Sequence, residues 1–161
     1  MASDHDATRL VHLTRVRAVY RRLKELGMSK DRPEQHRTSA DFARYLVLMA
    51  PRRGQGTALR FSHIDFDNDR MVMPASTSKD HKSFVRPISP PLRELLLHRL
   101  EVHRRLHEDQ GQEVPADGGV FPSSRSKCGH LVGCRGTLNG TEDIAPRSRR
   151  RPIASAWRVA G

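Results

Sequence analysis

The spacing of apolar residues changes at Leu59, and this change restricts the folds that the chain can adopt. Upstream of Leu59, apolar residues recur three and four positions apart, which is typical of helices. From Leu59 to Ser89, short β-favouring segments are separated by an Asp-Asn-Asp turn and by a polar loop. We therefore predict an α+β fold that is mainly helical and contains a small three-stranded antiparallel sheet.

The first two helices are predicted from apolar periodicity and from residues that favour helix ends. Apolar residues recur over Thr8–Leu26 and stop at Gly27, a common helix terminator. The segment Ser29–Ser39 is polar, contains a proline and predicts a linker. Thr38 and Asp41 stand three apart, as in a capping box, and are expected to open the second helix.

A third helix is predicted after Ser89, where two prolines precede a leucine-rich stretch. Its leucines form one apolar stripe, and its arginines are expected on the opposite face. His98, His103 and His107 are assigned to the arginine-rich face and are expected to be solvated. The stripe consists of Leu92, Leu95, Leu96, Leu100 and Leu106. Farther along the chain, Val120–Pro122 predicts a short extended piece.

The charge of the chain points to a polyanionic partner. Lysines and arginines number 29 against 18 acidic residues, for a net charge of +11. Charge alone does not choose between DNA, RNA and anionic lipid. No stretch approaches the ~20 apolar residues of a membrane span, and the N-terminus lacks the pattern of an export signal. We expect a cytoplasmic protein that binds no membrane, with Cys128 and Cys134 reduced.

Two motifs within residues 43–126 carry a family resemblance. In YLVLMAPRRGQGTALRFSHIDFD, a helix is followed by two arginines, an aliphatic-Arg-aromatic strand and an Ile-Asp pair. In STSKDHKSFVRPIS, a lysine shortly after Ser or Thr precedes a strand that ends in Pro-aliphatic-Ser. With VFPSSRSKCGH at residues 120–130, these motifs resemble the first half of the catalytic domain of the tyrosine recombinases, the phage integrase family.

This resemblance implies site-specific recombination of double-stranded DNA through a phosphotyrosine, without a metal or another cofactor. It places Arg52 at the position of a catalytic arginine and Lys79 at that of a catalytic lysine. An arginine fork matches the non-bridging phosphate oxygens, and a lysine can protonate the departing oxygen. Arg53, Lys82 and Arg86 are predicted to bind DNA, and other recombinase subunits are further expected partners.

The sequence departs from the family pattern in ways that affect the mechanism. No His-x-x-Arg pair and no tyrosine follows the hairpin motif. The only His-x-x-Arg is His12 to Arg15, and the only tyrosines are Tyr20 and Tyr45. Tyr45 is expected in the core. Gln55 stands where the family has a glutamate, and Ala50 where it has a glycine. We therefore expect a truncated form that is catalytically incomplete.

Three alternatives follow for what such a chain does. It could cleave DNA with a tyrosine supplied from elsewhere, bind DNA without cutting it, or be a decaying product with no stable fold.

The predicted organisation is an N-terminal helix and linker at 1–38, a partial integrase-like catalytic domain at 39–126, and a tail at 127–161. The tail is basic and lacks apolar periodicity, so we expect it to be disordered or a frame-shifted remnant.

Two groups of residues have the spacing of metal ligands. His103 and His107 are four apart, and Cys128, His130 and Cys134 form a short cluster. Solvated histidines explain the first group, and the cysteines lack a second tight pair. We predict no metal site.

Overall fold

The computed structural model describes residues 13–51, 53–77, 81–124 and 126–131. In this part of the chain three helices precede a small antiparallel sheet and one long helix follows it, which confirms the predicted α+β class. The helices are α1 (Leu13–Met28), α2 (Glu34–Met49), α3 (Arg53–Thr57) and α4 (Pro90–Glu108). The strands are β1 (Ile64–Asp65), β2 (Arg70–Met73) and β3 (Phe84–Pro87). No helix in the described ranges combines the length and the apolar composition that crossing a bilayer requires.

The sheet is a three-stranded antiparallel meander, as predicted. Its strands are ordered β1-β2-β3, and Ile64 pairs with Met71 in the first ladder. The Asp65 carboxylate accepts hydrogen bonds from the side chain of Asn68 at 2.8 Å and from Nε of Arg70 at 2.8 Å. Because these bonds favour the ionised form, they hold the pKa of Asp65 below its usual value. Asp65 therefore closes the turn between β1 and β2.

The main core lies between α2, α4 and the inner face of the sheet. Buried aromatic and aliphatic side chains from all of these elements meet in one cluster. Segment 120–131 also belongs to it, because Val120 donates a backbone hydrogen bond to Leu59 at 3.0 Å and Leu131 donates one to Phe121 at 3.1 Å. The predicted extended piece at Val120–Pro122 therefore contributes to the core. Its buried members include Phe42, Tyr45, Leu92, Leu95, Leu96 and Phe121.

Helix α1 packs on α2 and continues past the glycine that was expected to end it. Leu23 and Leu26 of α1 are buried against Ala40 and Ala43 of α2. Gly27 lies inside the helix, where a Cβ atom would collide with the carboxylate of Asp41. The helix ends at Met28, one residue beyond the predicted terminator, and the missing side chain of Gly27 serves the close approach of α1 to α2. Residues 8–12 of the predicted helix lie outside the described ranges.

Helix α2 begins earlier than predicted. It starts at Glu34, so the connection from α1 is only five residues long (29–33). Thr38 and Asp41 lie within the helix and are buried, and Thr38 Oγ1 donates to Glu34 Oε1 at 3.0 Å. They are therefore not a capping box. Helix α2 runs without a break across the boundary that we predicted between residues 38 and 39.

Several charged side chains are buried where the three long helices meet. Arg44 Nη1 lies 3.0 Å from Asp41 Oδ1, and Arg99 Nη1 lies 3.6 Å from Asp41 Oδ2. Arg99 also donates to Glu34 at 3.1 Å and to the carbonyl of Val120 at 3.2 Å. We call Asp41, Arg44 and Arg99 the buried ion cluster. The expectation that the arginines of α4 all lie on its solvated face was wrong for Arg99, which is 1% exposed.

Replacing Gly27 with alanine is expected to lower the free energy of unfolding by about 1–3 kcal/mol, the usual cost of overpacking. The added methyl group would push Asp41 away from Arg44, and both partners are buried. Chemical denaturation measures the change. Gly119→Ala is the control, since nothing lies within 4 Å of the Cβ position there. Equal stability of the two variants would contradict the close approach of α1 and α2.

Candidate nucleic-acid interface

The first predicted motif lies where α2 ends. Met49 is the last residue of α2, and Ala50 takes a left-handed conformation with φ of 42°. The N–H of Ala50 donates to the carbonyl of Leu46 at 2.9 Å. A side chain in this conformation costs roughly 1–2 kcal/mol relative to a right-handed helix. The chain therefore leaves α2 through a strained turn just before Arg52.

Helix α3 packs closely against α2. A Cβ atom at Gly56 would lie 3.2 Å from the Phe42 ring, 3.3 Å from the Tyr45 ring and 3.4 Å from Pro51. Only a residue without a side chain fits such an approach without displacing its neighbours. Helix α3 is thereby held against the core side of α2.

The second predicted motif, at residues 76–89, contains β3, which pairs with β2 in a hairpin. Met71 and Met73 of β2 are buried on the inner face of the sheet, while Val72 is exposed. In the ladder, Arg86 of β3 pairs with Met71, which places Arg86 on the same inner face. The connection between the two strands is residues 74–83, and Lys79 belongs to it by sequence.

A hydrogen bond from Arg86 joins the hairpin to the end of α2. Arg86 Nη1 donates to the carbonyl oxygen of Met49 at 3.3 Å, and its guanidinium lies 5.3 Å from the centre of the Phe84 ring. The space at this junction has a volume of only about 10 Å³, enough for at most one water molecule. It is a packed contact and not a ligand pocket. Its lining residues are Tyr45, Met49, Pro51, Gln55, Met71, Met73, Phe84 and Arg86.

The structure describes some of the predicted site residues and not others. Arg52 and Lys79 lie outside the described residues. Arg53 is the first residue of α3. Lys82 is exposed just before β3, and within the described ranges it makes no ion pair, whereas Arg86 is half-buried at the junction.

Two carboxylates in turns of the described chain, those of Asp69 and Asp117, form ion pairs with arginines. Asp69 accepts from Arg93 Nε at 2.8 Å, which ties the β1–β2 turn to the start of α4. Asp117 pairs with Arg60 at 3.0 Å, and hydrogen bonding from Ser62 together with the Arg60 charge lowers the pKa of Asp117.

Neither tyrosine is placed to attack a phosphate. Tyr45 is 2% exposed and lies with its ring centre 5.4 Å from that of Phe121. Burial raises the pKa of Tyr45 to about 12, an effect that the charge of Arg86 only partly opposes. The prediction that Tyr45 is a core residue is confirmed. The hydroxyl of Tyr20 accepts from Arg44 Nη2 at 3.4 Å on the other side of α2.

The histidines of α4 differ in how deeply they are buried. His103 was expected to be solvated, but it is 8% exposed, and its ring centre lies 5.0 Å from that of Phe61. Burial lowers the pKa of His103, and His103 Nε2 is 3.2 Å from the carbonyl of Pro115. Burial also lowers the pKa of His98, although the Asp41 carboxylate opposes this effect. His107 Nδ1 is 2.8 Å from the carbonyl of His103.

The second group with metal-ligand spacing is only partly described. Cys128 is exposed, and its Sγ lies 2.7 Å from Ser126 Oγ, a bond that lowers the pKa of the thiol. Cys134 lies outside the described residues. Among the residues that the structure describes, no group of three or more His, Cys, Asp or Glu side chains could hold a metal ion.

Comparisons with protein-family models, curated proteins and solved structures gave no match to this chain. The candidate site therefore rests on its own residues. Sequence reasoning missed the contact of Arg86 with Met49, for which no side-chain pattern exists because the acceptor is a backbone carbonyl. It also missed the buried position of Arg99, although Arg99 stands at helical spacing from Leu92, Leu95 and Leu96.

Proposed function

We propose that this chain is a catalytically incomplete integrase-like domain that binds double-stranded DNA and grips a phosphate without cleaving it by itself. One observation carries the proposal. Through Arg86 and Met49, the end of α2 and the β2–β3 hairpin lie in direct contact. These are the two elements to which the resemblance assigns Arg52 and Lys79, which are far apart in sequence.

The backbone at Ala50 gives further support. The family pattern has a glycine at this position, and glycine is the residue that adopts positive φ without strain. Ala50 adopts a φ of 42° although it has a side chain. The turn that precedes Arg52 thus keeps a glycine-like conformation where the resemblance expects one.

The chemistry of the proposed site is phosphate recognition. The Arg52 guanidinium would donate two parallel hydrogen bonds to the phosphate, and the Lys79 ammonium would add a point charge. Lys82 is exposed and unpaired among the described residues, so it can add a further phosphate contact. Neither tyrosine serves as a nucleophile in this proposal, since the ring of Tyr45 is buried and Tyr20 lies on α1, where its hydroxyl accepts from Arg44.

DNA binding of this kind is expected to weaken steeply with salt. For each phosphate contacted, log K should fall by about 0.9 per unit of log salt concentration, because bound counterions are released. Arg52→Ala and Lys79→Ala should each make this slope shallower by about 0.9. Fluorescence anisotropy with a labelled duplex between about 50 and 200 mM salt measures the effect.

Lys30→Ala is the matched control for these variants. Lys30 is exposed and precedes the N-terminus of α2, which lies about 22 Å along the helix from Met49. Its removal should leave the slope unchanged. Two results would contradict the proposed site: no measurable binding to the duplex, or an equal change of the salt slope in all three variants. Incubation with a nicked duplex should give no covalent protein–DNA adduct, and an adduct would show that a nucleophile is present.

A further inference from the structure

We infer that Arg86 is a positioning residue, which holds the end of α2 and the β2–β3 hairpin in one arrangement. The inference rests on the proposed function and gives Arg86 a different role in it. The sequence predicted that Arg86 contacts DNA. The structure places its guanidinium at the carbonyl of Met49, on the inner face of the sheet.

The acceptor of this hydrogen bond is a backbone carbonyl that has no hydrogen-bond partner within its own helix. The last four carbonyls of an α-helix have no partner within the helix, and the helix dipole gives this end a partial negative charge. Met49 is the final residue of α2. A guanidinium is a cationic donor, so Arg86 complements this end of the helix in both hydrogen bonding and charge.

The surroundings of Arg86 restrict where its side chain can point. Its guanidinium lies over the Phe84 ring, and the nearby cavity has a volume of only about 10 Å³. Met71 and Tyr45, which also line this space, are fully buried. The Arg86 side chain is therefore packed on several sides, unlike that of Lys82, which is exposed before the same strand.

The consequence concerns the two residues of the proposed phosphate site. Arg52 follows Met49 by three positions, and Lys79 lies in the connection that leads into β3. Without Arg86, α2 and the hairpin would remain folded and would still pack through apolar side chains such as Met49 and Phe84, but the hydrogen bond that fixes how they meet would be lost. Arg86 thereby supports the action of Arg52 without touching DNA.

A double-mutant cycle tests this role. Arg86→Met keeps an apolar stem of similar length and removes the donor. If Arg86 acts through Arg52, Arg86→Met should weaken binding to a short duplex about tenfold, the loss expected for one charged hydrogen bond. The double variant R52A/R86M should then bind within about twofold of R52A alone. The cycle R52A/K82M is the control, in which two independent contacts should give additive losses.

Partial rescue provides a second readout. Arg86→Lys can donate one hydrogen bond to the Met49 carbonyl, so its affinity should lie between those of the wild type and Arg86→Met. Additive losses in R52A/R86M, as in the control cycle, would overturn the inference and indicate that Arg86 contacts a phosphate itself.

Hydrogen exchange separates this inference from the proposed function. In the absence of DNA, the amides of Gln55–Thr57 should exchange about tenfold faster in Arg86→Met, since one charged hydrogen bond is lost. Amides of α1 should be unaffected. Faster exchange in a chain that binds no DNA would support the positioning role while refuting the proposed function. Unchanged exchange would overturn the positioning role whether or not the chain binds DNA.

Discussion

Asp41→Ala is expected to lower the free energy of unfolding by about 3–5 kcal/mol, the usual cost of removing one partner from a buried ion pair. Asp41 is fully buried, and its two oxygens lie beside different cations. Arg44 Nη1 is 3.0 Å from one oxygen, and Arg99 Nη1 is 3.6 Å from the other. Both arginines are 1% exposed, so water cannot replace the lost carboxylate. Arg99 would keep its ion pair with Glu34, but the charge of Arg44 would remain in the protein interior without a carboxylate partner.

Two further variants keep this prediction measurable. Asp41→Asn retains an oxygen that can accept from Arg44 but removes the charge, so its loss of stability should be smaller than that of Asp41→Ala. Asp67→Ala removes an exposed carboxylate from the β1–β2 turn and should change stability by less than about 0.5 kcal/mol. Urea denaturation followed by circular dichroism gives all three values. If Asp41→Ala and Asp67→Ala had similar effects, the buried ion cluster would not exist in solution.

Phe121→Ala is expected to cost about 3–5 kcal/mol, because truncation of a buried phenylalanine leaves a cavity. Phe121 is completely buried, and its ring centre lies 5.2 Å from that of Phe42 and 5.4 Å from that of Tyr45. Its position is 13 residues beyond the end of α4 at Glu108. The variant therefore tests whether segment 120–131 is a part of the core.

Val85→Ala is the control for this substitution. Val85 lies on the outer face of β3 and is 58% exposed, so its truncation should cost less than about 1 kcal/mol. Thermal unfolding by calorimetry compares the two variants with the wild type. A Phe121→Ala protein as stable as Val85→Ala would mean that the segment after α4 does not pack on the core. A cooperative transition in the wild type would exclude the alternative of a product with no stable fold.

Helices and strands could be predicted because they depend on local patterns. The leucines of α4 recur at helical spacing, and the turn at Asn68 separates two segments that favour strands. Errors occurred at helix boundaries. Gly27 was expected to end α1, but the helix ends one residue later. A glycine is needed at this position because α1 approaches Asp41 closely. Thr38 and Asp41 have the spacing of a cap, but packing between helices buries them.

The candidate site was predictable only in part. The residue types of the two motifs are visible in the sequence, and the alternation of β3 already restricts the face on which Arg86 lies. The contact between Arg86 and the Met49 carbonyl joins residues 37 positions apart, and its acceptor is a backbone atom. No periodicity encodes such a pair. Its formation depends on how the sheet packs against α2.

The sequence by itself determined the class of fold, the order of the three long helices and the three strands, the positive charge and the residues that resemble a phosphate site. Each of these properties is a sum over local composition or spacing, which needs no knowledge of distant neighbours. Tertiary structure alone decided which charges are buried, where α1 and α2 meet, and which arginine faces inward. Those outcomes depend on which surfaces lose contact with water when the helices and the sheet pack together, and the free energy of a charge changes most at that step.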